Sequence, residues 1–376
     1  MRNFYPLFIA SSAFFFSYFG RLSWSILSVY TPFHVSIAEE AYVFSLFFIG
    51  YIIVQIPSGI ISDRISGGLV IVIALFGLSI ATFLSGHATN ISEEYVASVL
   101  MGLTAGWIYP ASINVMHAYY SDNVNLYIGY YSIAWPLAIV MAGILLPFVV
   151  KTYGWEWGYY LSSISTAVLA VLSIPLRKFK AKSRKINFSL FTDRNVILIS
   201  IGGFIFFLSY WSLTLYAYKY FISIGINDYI AGIIYSSMAI AGLVSTVLSG
   251  YIMNRVGSKR SAVISLIAYG LLMLPFAFFR NALLFMFVAL FMGFFRFIVT
   301  PANSSLITSI GRENSGSASG IANLVWQTSG IVGPVFASAV IYNVGFKYLW
   351  LVLLITILAS SVFYQSIKIQ SVQKTI

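Results

Sequence analysis

The 376-residue chain has no cysteine, and only 8% of its residues are charged. Without thiols it can form neither disulfides nor thiolate metal sites. A soluble domain carries roughly 25% charged residues because a water-facing surface needs them. Most of this surface therefore faces something other than water, which excludes a soluble enzyme, a disordered protein and a nucleic-acid binder. Acids are scarcest, 10 Asp and Glu against 21 Lys and Arg. The resulting charge of +11 does not mark a nucleic-acid surface, because the basic residues lie in short loops between apolar runs. Several kinds of chemistry are missing too. No Walker-type Gly-Lys-Ser/Thr loop occurs, so ATP does not drive the protein. His34, His87 and His117 are scattered with no acid at ligand spacing, and no Ser/His/Asp set can be assembled. The expectation is a non-enzyme with no metal and no cofactor.

Long apolar runs are what the chain does have. About 20 apolar residues cross the hydrocarbon core as a helix. Twelve such runs occur, at 6–31, 41–62, 69–88, 94–120, 125–150, 158–176, 195–222, 229–253, 261–279, 282–309, 316–343 and 347–367. Alternating strands are absent, which argues against a membrane barrel. The first run is too long for a cleavable signal and has no small-residue cleavage site, so it reads as a retained span. Lys and Arg concentrate in loops of one parity: Arg177, Lys178, Lys180, Lys182, Arg184, Lys185 and Arg194, with Arg64, Arg255, Lys259, Arg260 and Arg312. The opposite loops hold only Lys151, Arg280 and Lys347. By the positive-inside rule both termini and the basic 177–194 linker are cytoplasmic, in an integral protein of the cell membrane.

An internal repeat runs at an offset of 191 residues. Gly59 matches Gly250, Arg64 matches Arg255, Gly102 matches Gly293, Gly129 matches Gly320, and Pro110-Ala111 matches Pro301-Ala302. A spacing held across several helices predicts duplicated six-helix bundles, residues 1–176 and 195–376. Two such halves are a transporter architecture, with the substrate near mid-bilayer between them.

The second and eighth spans end in Gly59-Ile-Ile-Ser-Asp63-Arg64 and Gly250-Tyr-Ile-Met-Asn254-Arg255-Val-Gly257-Ser-Lys259-Arg260. These segments resemble the signature loop of the major facilitator superfamily, in both halves. The resemblance implies an all-α fold of twelve transmembrane helices in two pseudo-symmetric bundles, working by alternating access. Gly59 and Gly250 are expected to let helices approach closely, and Asp63, Arg64, Asn254 and Arg255 to lock helix ends as gating residues. A narrower resemblance lies in Phe47-Phe48-Ile-Gly50-Tyr51-Ile-Ile-Val-Gln55-Ile-Pro57-Ser-Gly59, in Tyr18-Phe-Gly20-Arg21-Leu-Ser23, and in Gly320-Ile-Ala-Asn323-Leu-Val-Trp-Gln327. These are similar to the anion:cation symporter family of sialin, vesicular glutamate and sugar-acid transporters. Three positions depart from it: Gly20, Ser98 and Ala105 stand where that family carries Asp, Arg and Glu.

Two arginines sit deep in spans. Arg21 lies 15 residues from Pro6, roughly 22 Å along a helix, and Arg296 lies 14 from Ala282, roughly 21 Å. Both therefore reach the midplane, one from each half, on spans that line the cavity in the resembling superfamily. All ten carboxylates fall in or beside loops, so no interior counter-ion is expected. Uncompensated guanidinia want an anion, carboxylate or phosphate, held through bidentate bonds. The alternative is satisfaction by helix carbonyls, Tyr hydroxyls or water over an aromatic face. Tyr18, Tyr51, Gln55, Asn114, Asn323 and Gln327 are candidate substrate contacts. Trp135 and Trp326 read as packing, Lys219 as a snorkelling lysine, and His34 and His117 as interfacial.

The sequence thus predicts a monomeric transporter of a small organic anion, a carboxylate or sugar acid, held between Arg21 and Arg296 and surrounded by membrane lipids. With no interior acid, uniport, exchange or uptake of a protonated acid is expected. An exporter of neutral or drug-like compounds, or a non-transporting sensor or lipid-handling protein on the same scaffold, are the alternatives.

Overall fold

A computed structural model describes residues 4–120, 123–178, 192–311 and 315–368. Most of the 177–194 linker, Arg312 and the side chain of Asp63 lie outside the described residues.

The chain folds as α1 (Tyr5–Leu27), α2 (Ile37–Arg64), α3 (Gly67–His87), α4 (Ile91–Ala105), α5 (Ile108–Tyr119), α6 (Val124–Ser132), α7 (Ala134–Tyr153) and α8 (Glu156–Ser173). It continues with α9 (Arg194–Ser223), α10 (Asp228–Val256), α11 (Ser258–Leu271), α12 (Leu274–Phe278), α13 (Ala282–Gly311), α14 (Ser315–Val344) and α15 (Phe346–Ser366). Eleven helical stretches among the described residues are long and apolar enough to cross a membrane. The twelfth is α1, more polar because its 23 residues include Arg21 and five serines. Three predicted spans are interrupted, between α4 and α5, α6 and α7, and α11 and α12. Each break falls at or beside the residue four before a proline (Pro110, Pro136, Pro275), whose ring displaces the i−4 carbonyl and whose nitrogen cannot bond it. Starts are set by side-chain caps: Ser36 and Glu39 cap each other's backbone at α2, and Asn90, Asp193 and Asn227 cap α4, α9 and α10.

The repeat survives as packing. A Cβ at Gly102 would fall on the Phe47 carbonyl oxygen, and one at Gly293 on that of Met238. Phe47 and Met238 are themselves 191 residues apart, so α4 on α2 and α13 on α10 are the same close contact made twice. Helices α1–α8 meet α9–α15 chiefly along α2 with α14 and α7 with α10. Small residues allow it: Ser45 donates to the Ile331 carbonyl (2.8 Å), and Ser236 to that of Val140 (2.9 Å).

The two ends of this seam differ. At the end away from the termini it is closed by polar bonds: Lys219 to Glu40, Lys151 to Asp228 (2.7 Å), Tyr30 to Asp228 (2.7 Å) and to Tyr218 (2.5 Å), and Tyr216 to the Ile37 carbonyl (2.7 Å). At the terminal end, a Cβ on Gly59, Gly129, Gly250 or Gly320 would meet nothing within 4 Å. The expected close approach at Gly59 and Gly250 is therefore not made in this conformation, because the helices there stand apart.

Candidate functional site

Arg21 and Arg296 are among the largest fully enclosed side chains of the protein, 2% and 1% exposed. Each guanidinium lies in an aromatic cage. Around Arg21 the ring centroids of Tyr18, Phe47, Phe48, Tyr51 and Trp211 lie 4.6–5.1 Å away. Around Arg296 those of Trp135, Phe206, Phe207, Tyr210 and Phe297 lie 4.0–5.4 Å away. The cages exchange their tryptophans: Trp211 on α9 covers Arg21 of α1, and Trp135 on α7 covers Arg296 of α13. Tyr18 joins them, 5.2 Å from the Trp135 ring and 6.4 Å from that of Trp211. Trp135 thus covers the Arg296 guanidinium rather than packing against apolar neighbours alone. Trp326 keeps the packing role expected of it, donating to the Ile199 carbonyl at 3.1 Å.

Ring faces attract a cation but accept no strong hydrogen bonds. Among the described residues, Arg21 Nε, Nη1 and Nη2 and Arg296 Nε and Nη2 complete no hydrogen bond, although the Tyr210 hydroxyl lies beside the Arg296 guanidinium. Arg296 Nη1 donates to Thr300 Oγ1 at 2.9 Å. The carbonyls and tyrosine hydroxyls that could have satisfied Arg21 do not. A cavity opens beside Arg296, lined by Tyr210, Leu213, Tyr235, Met238, Met292 and Phe297 among others.

The remaining candidates divide. Tyr18 and Tyr51 belong to the Arg21 cage. Gln55 Nε2 is buried with no acceptor among the described residues, and Gln327 donates weakly to Asn323 (3.5 Å) while its Oε1 finds no donor. None of these three amides bonds a guanidinium. Asn114 is not brought to the arginines; its Oδ1 accepts the Gly67 N–H at 3.3 Å, at the start of α3. Arg255 lies over its own helix neighbour Tyr251 (4.4 Å), and both Asn254 and Arg64 are exposed. His34 is exposed in the α1–α2 connection.

Two expectations are overturned. The interior does hold carboxylates: Glu40 is 0% and Glu94 1% exposed, although both lie in first turns next to loops. Sequence position put them at the bilayer edge, but their helix faces turn into the bundle. Lys219 does not snorkel; it bonds Glu40, which also accepts from Ser28 (2.8 Å). Trp211, Phe48 and Tyr210 were missed, since in a chain with 18% aromatics no single ring stands out. The one available signal was their place on spans that carry or face an arginine.

Comparisons with known proteins agree with this architecture. The sequence profile described as Major Facilitator Superfamily matches residues 7–334. The D-galactonate transporter of Escherichia coli O6:H1 is 25% identical over 143 residues, covering 37% of this chain and 33% of that protein. The multidrug resistance protein MdtG of Serratia proteamaculans is 24% identical over 347 residues, 85% of this chain and 82% of that one. The crystal structure of the nucleoside transporter NupG superposes with a TM-score of 0.81 at 16% identity, covering 97% of this chain and 100% of that chain.

Proposed function

The chain belongs to the major facilitator superfamily and is a membrane transporter, not an enzyme, and from that premise we propose that its cargo is a small organic anion, a carboxylate or sugar acid, bound by Arg21 and Arg296. One observation carries the reading: two enclosed guanidinia, one in each repeat, keep N–H donors that complete no hydrogen bond among the described residues, all three nitrogens of Arg21 and two of Arg296. Leaving such donors unbonded costs more than about 1–3 kcal/mol each, and a carboxylate answers them through paired, charge-assisted bonds. The cages hold the guanidinia in place without consuming those donors. Tyr18, between both cages, is the natural first contact for an anion spanning them. The D-galactonate transporter among the relatives carries a sugar acid by its name.

In this reading the bodies that rock are residues 1–176 and 195–376, in a monomer whose termini and 177–194 linker face the cytoplasm. The polar bonds at the other end then form the outer gate. The glycines standing clear at the terminal end mark where the bundles close in the opposite state, with Asp63, Arg64, Asn254 and Arg255 beside them.

A second reading has its own observation. Five rings around each arginine, with MdtG-like relatives over most of the chain, fit an exporter of drug-like compounds in which the arginines are structural. A thermal-shift screen of purified protein against organic anions and neutral aromatic compounds separates the two. Stabilisation by carboxylates, lost in both Arg21→Gln and Arg296→Gln, is expected. Carboxylate binding that survives in both variants refutes the anion site.

A further inference from the structure

The cavity beside Arg296 is walled by Ile139 of α7, Leu213 of α9, Met238 of α10, and Met292 and Phe297 of α13. These walls are almost wholly apolar, and they come from both halves of the seam. In this conformation the space would take about one or two waters, each of which needs two to four polar partners to be held.

The lining offers few such partners, because its polar groups are mostly spent on one another. Thr214 donates to the Tyr210 carbonyl (2.7 Å), and Tyr235 to the Thr214 carbonyl (3.1 Å). Tyr269 adds a single hydroxyl. The amides with unspent atoms, Gln55 on α2 and Gln327 on α14, are not part of the lining. What stays unspent is the Nε and Nη2 edge of Arg296, whose Nη1 is taken by Thr300, and the Tyr210 hydroxyl beside it.

We infer that the cargo is a monocarboxylate carrying a small apolar group, its carboxylate on Arg296 and Tyr210 and its hydrocarbon part in this cavity. The inference rests on the anion reading of the arginines and narrows it, away from a sugar acid. The Nε–Nη2 edge of a guanidinium is a fork that grips both oxygens of one carboxylate, and a tyrosine hydroxyl supplies a third donor. Hydroxyls of a sugar acid would enter a space that leaves most of them without partners, and a buried polar group without one is costly. An apolar group gains instead, by about fourfold in affinity for each methylene removed from water. Met238 and Met292, unbranched and soft, let the walls adjust to its shape. With Ile139 on the first half and Arg296 on the second, one small molecule then touches both bundles.

Calorimetry on the full chain in nanodiscs tests this with acetate, butyrate, 3-methylbutyrate, benzoate and gluconate, and with the primary amides of the apolar acids. In wild type the affinity should rise by about fourfold per added carbon until the cavity is filled. Gluconate should bind no tighter than acetate, and the amides far more weakly than their acids. Leu213→Phe and Met292→Phe, which fill the cavity, should bring 3-methylbutyrate to within about fourfold of acetate. Because the readout is a ratio, a loss of folded protein does not mimic it. Tyr210→Phe should weaken every acid by a common factor of roughly tenfold and leave that ratio alone. A flat series in wild type, or gluconate binding tighter than the apolar acids, overturns the apolar site; if that binding is lost in Arg296→Gln, the anion site still stands. A graded series that the amides share, and that persists in Arg296→Gln, refutes the anion reading and the carboxylate placement with it. Binding of none of these compounds overturns both.

Discussion

Replacing Lys219 by Met should open the end of the protein opposite the termini. Glu40 is 0% exposed and Lys219 22%, and the pair joins α2 to α9 across the seam. Removing one partner of a buried ion pair leaves an uncompensated charge, at a cost of about 3–5 kcal/mol. Because Lys219 is partly exposed, a figure somewhat below that range, ~2–3 kcal/mol, is appropriate. The cost falls on the closed state alone, since separation of the bundles lets water reach Glu40. At about 1.4 kcal/mol per tenfold, the open population rises roughly 30–150-fold relative to the closed one. Lys151→Met is the internal control. Its pair with Asp228 is 47% and 19% exposed, so about 0–1 kcal/mol and less than about fivefold is expected. The native chain has no cysteine, so Ser25→Cys, fully enclosed on α1 beneath these bonds, is a clean reporter for membrane-impermeant maleimide. Labelling should accelerate strongly with Lys219→Met, weakly with Lys151→Met, and return toward the parent rate in Glu40→Gln/Lys219→Met, where no orphan charge remains. Equal rates in all backgrounds, or a larger effect from Lys151→Met, would refute the assignment of the lock to the enclosed pair.

Three further outcomes follow from the same contacts. Arg21→Lys and Arg296→Lys should recover only part of the anion affinity lost in the Gln variants, about 2–5 kcal/mol by calorimetry, because an ammonium cannot reproduce the guanidinium fork. Trp211→Ala and Trp135→Ala should weaken binding through the arginine of the opposite half by about 0.5–2 kcal/mol, with Phe at either position restoring most of it; indifference to both Ala changes would remove the cages from the site. Gly102→Ala and Gly293→Ala should each destabilise the protein by about 1–3 kcal/mol in a melting experiment, since the added methyl meets a backbone carbonyl. Gly59→Ala and Gly250→Ala should not lower the melting temperature of this conformation and should raise it slightly, since each added methyl meets nothing and Ala is favoured over Gly inside a helix.

The helix count, the repeat and the two arginines embedded in apolar helices were all legible in the sequence, for one reason. Lipid forbids unpaired backbone and penalises charge, so span length, the 191-residue offset and any embedded cation stand out against an apolar background. The three helix breaks each lie beside the residue four before a proline, but Pro57, Pro147, Pro301 and Pro334 sit inside unbroken helices, so sequence alone did not say which prolines interrupt. What surrounds each arginine could not be read this way. Phe48 lies on α2 and the adjacent Tyr210 and Trp211 on α9, remote in sequence from the arginines they cover, and rings are too common in this chain for spacing to select them. Which tryptophan covers which arginine is set by how α7 and α9 cross the seam. Nor could the sequence say that Glu40 and Glu94, one turn inside their helices, face the bundle rather than the membrane edge. A first-turn residue can point either way, and only the packing of α2 and α4 against their neighbours decides whether its charge meets water, a lysine or an enclosed void.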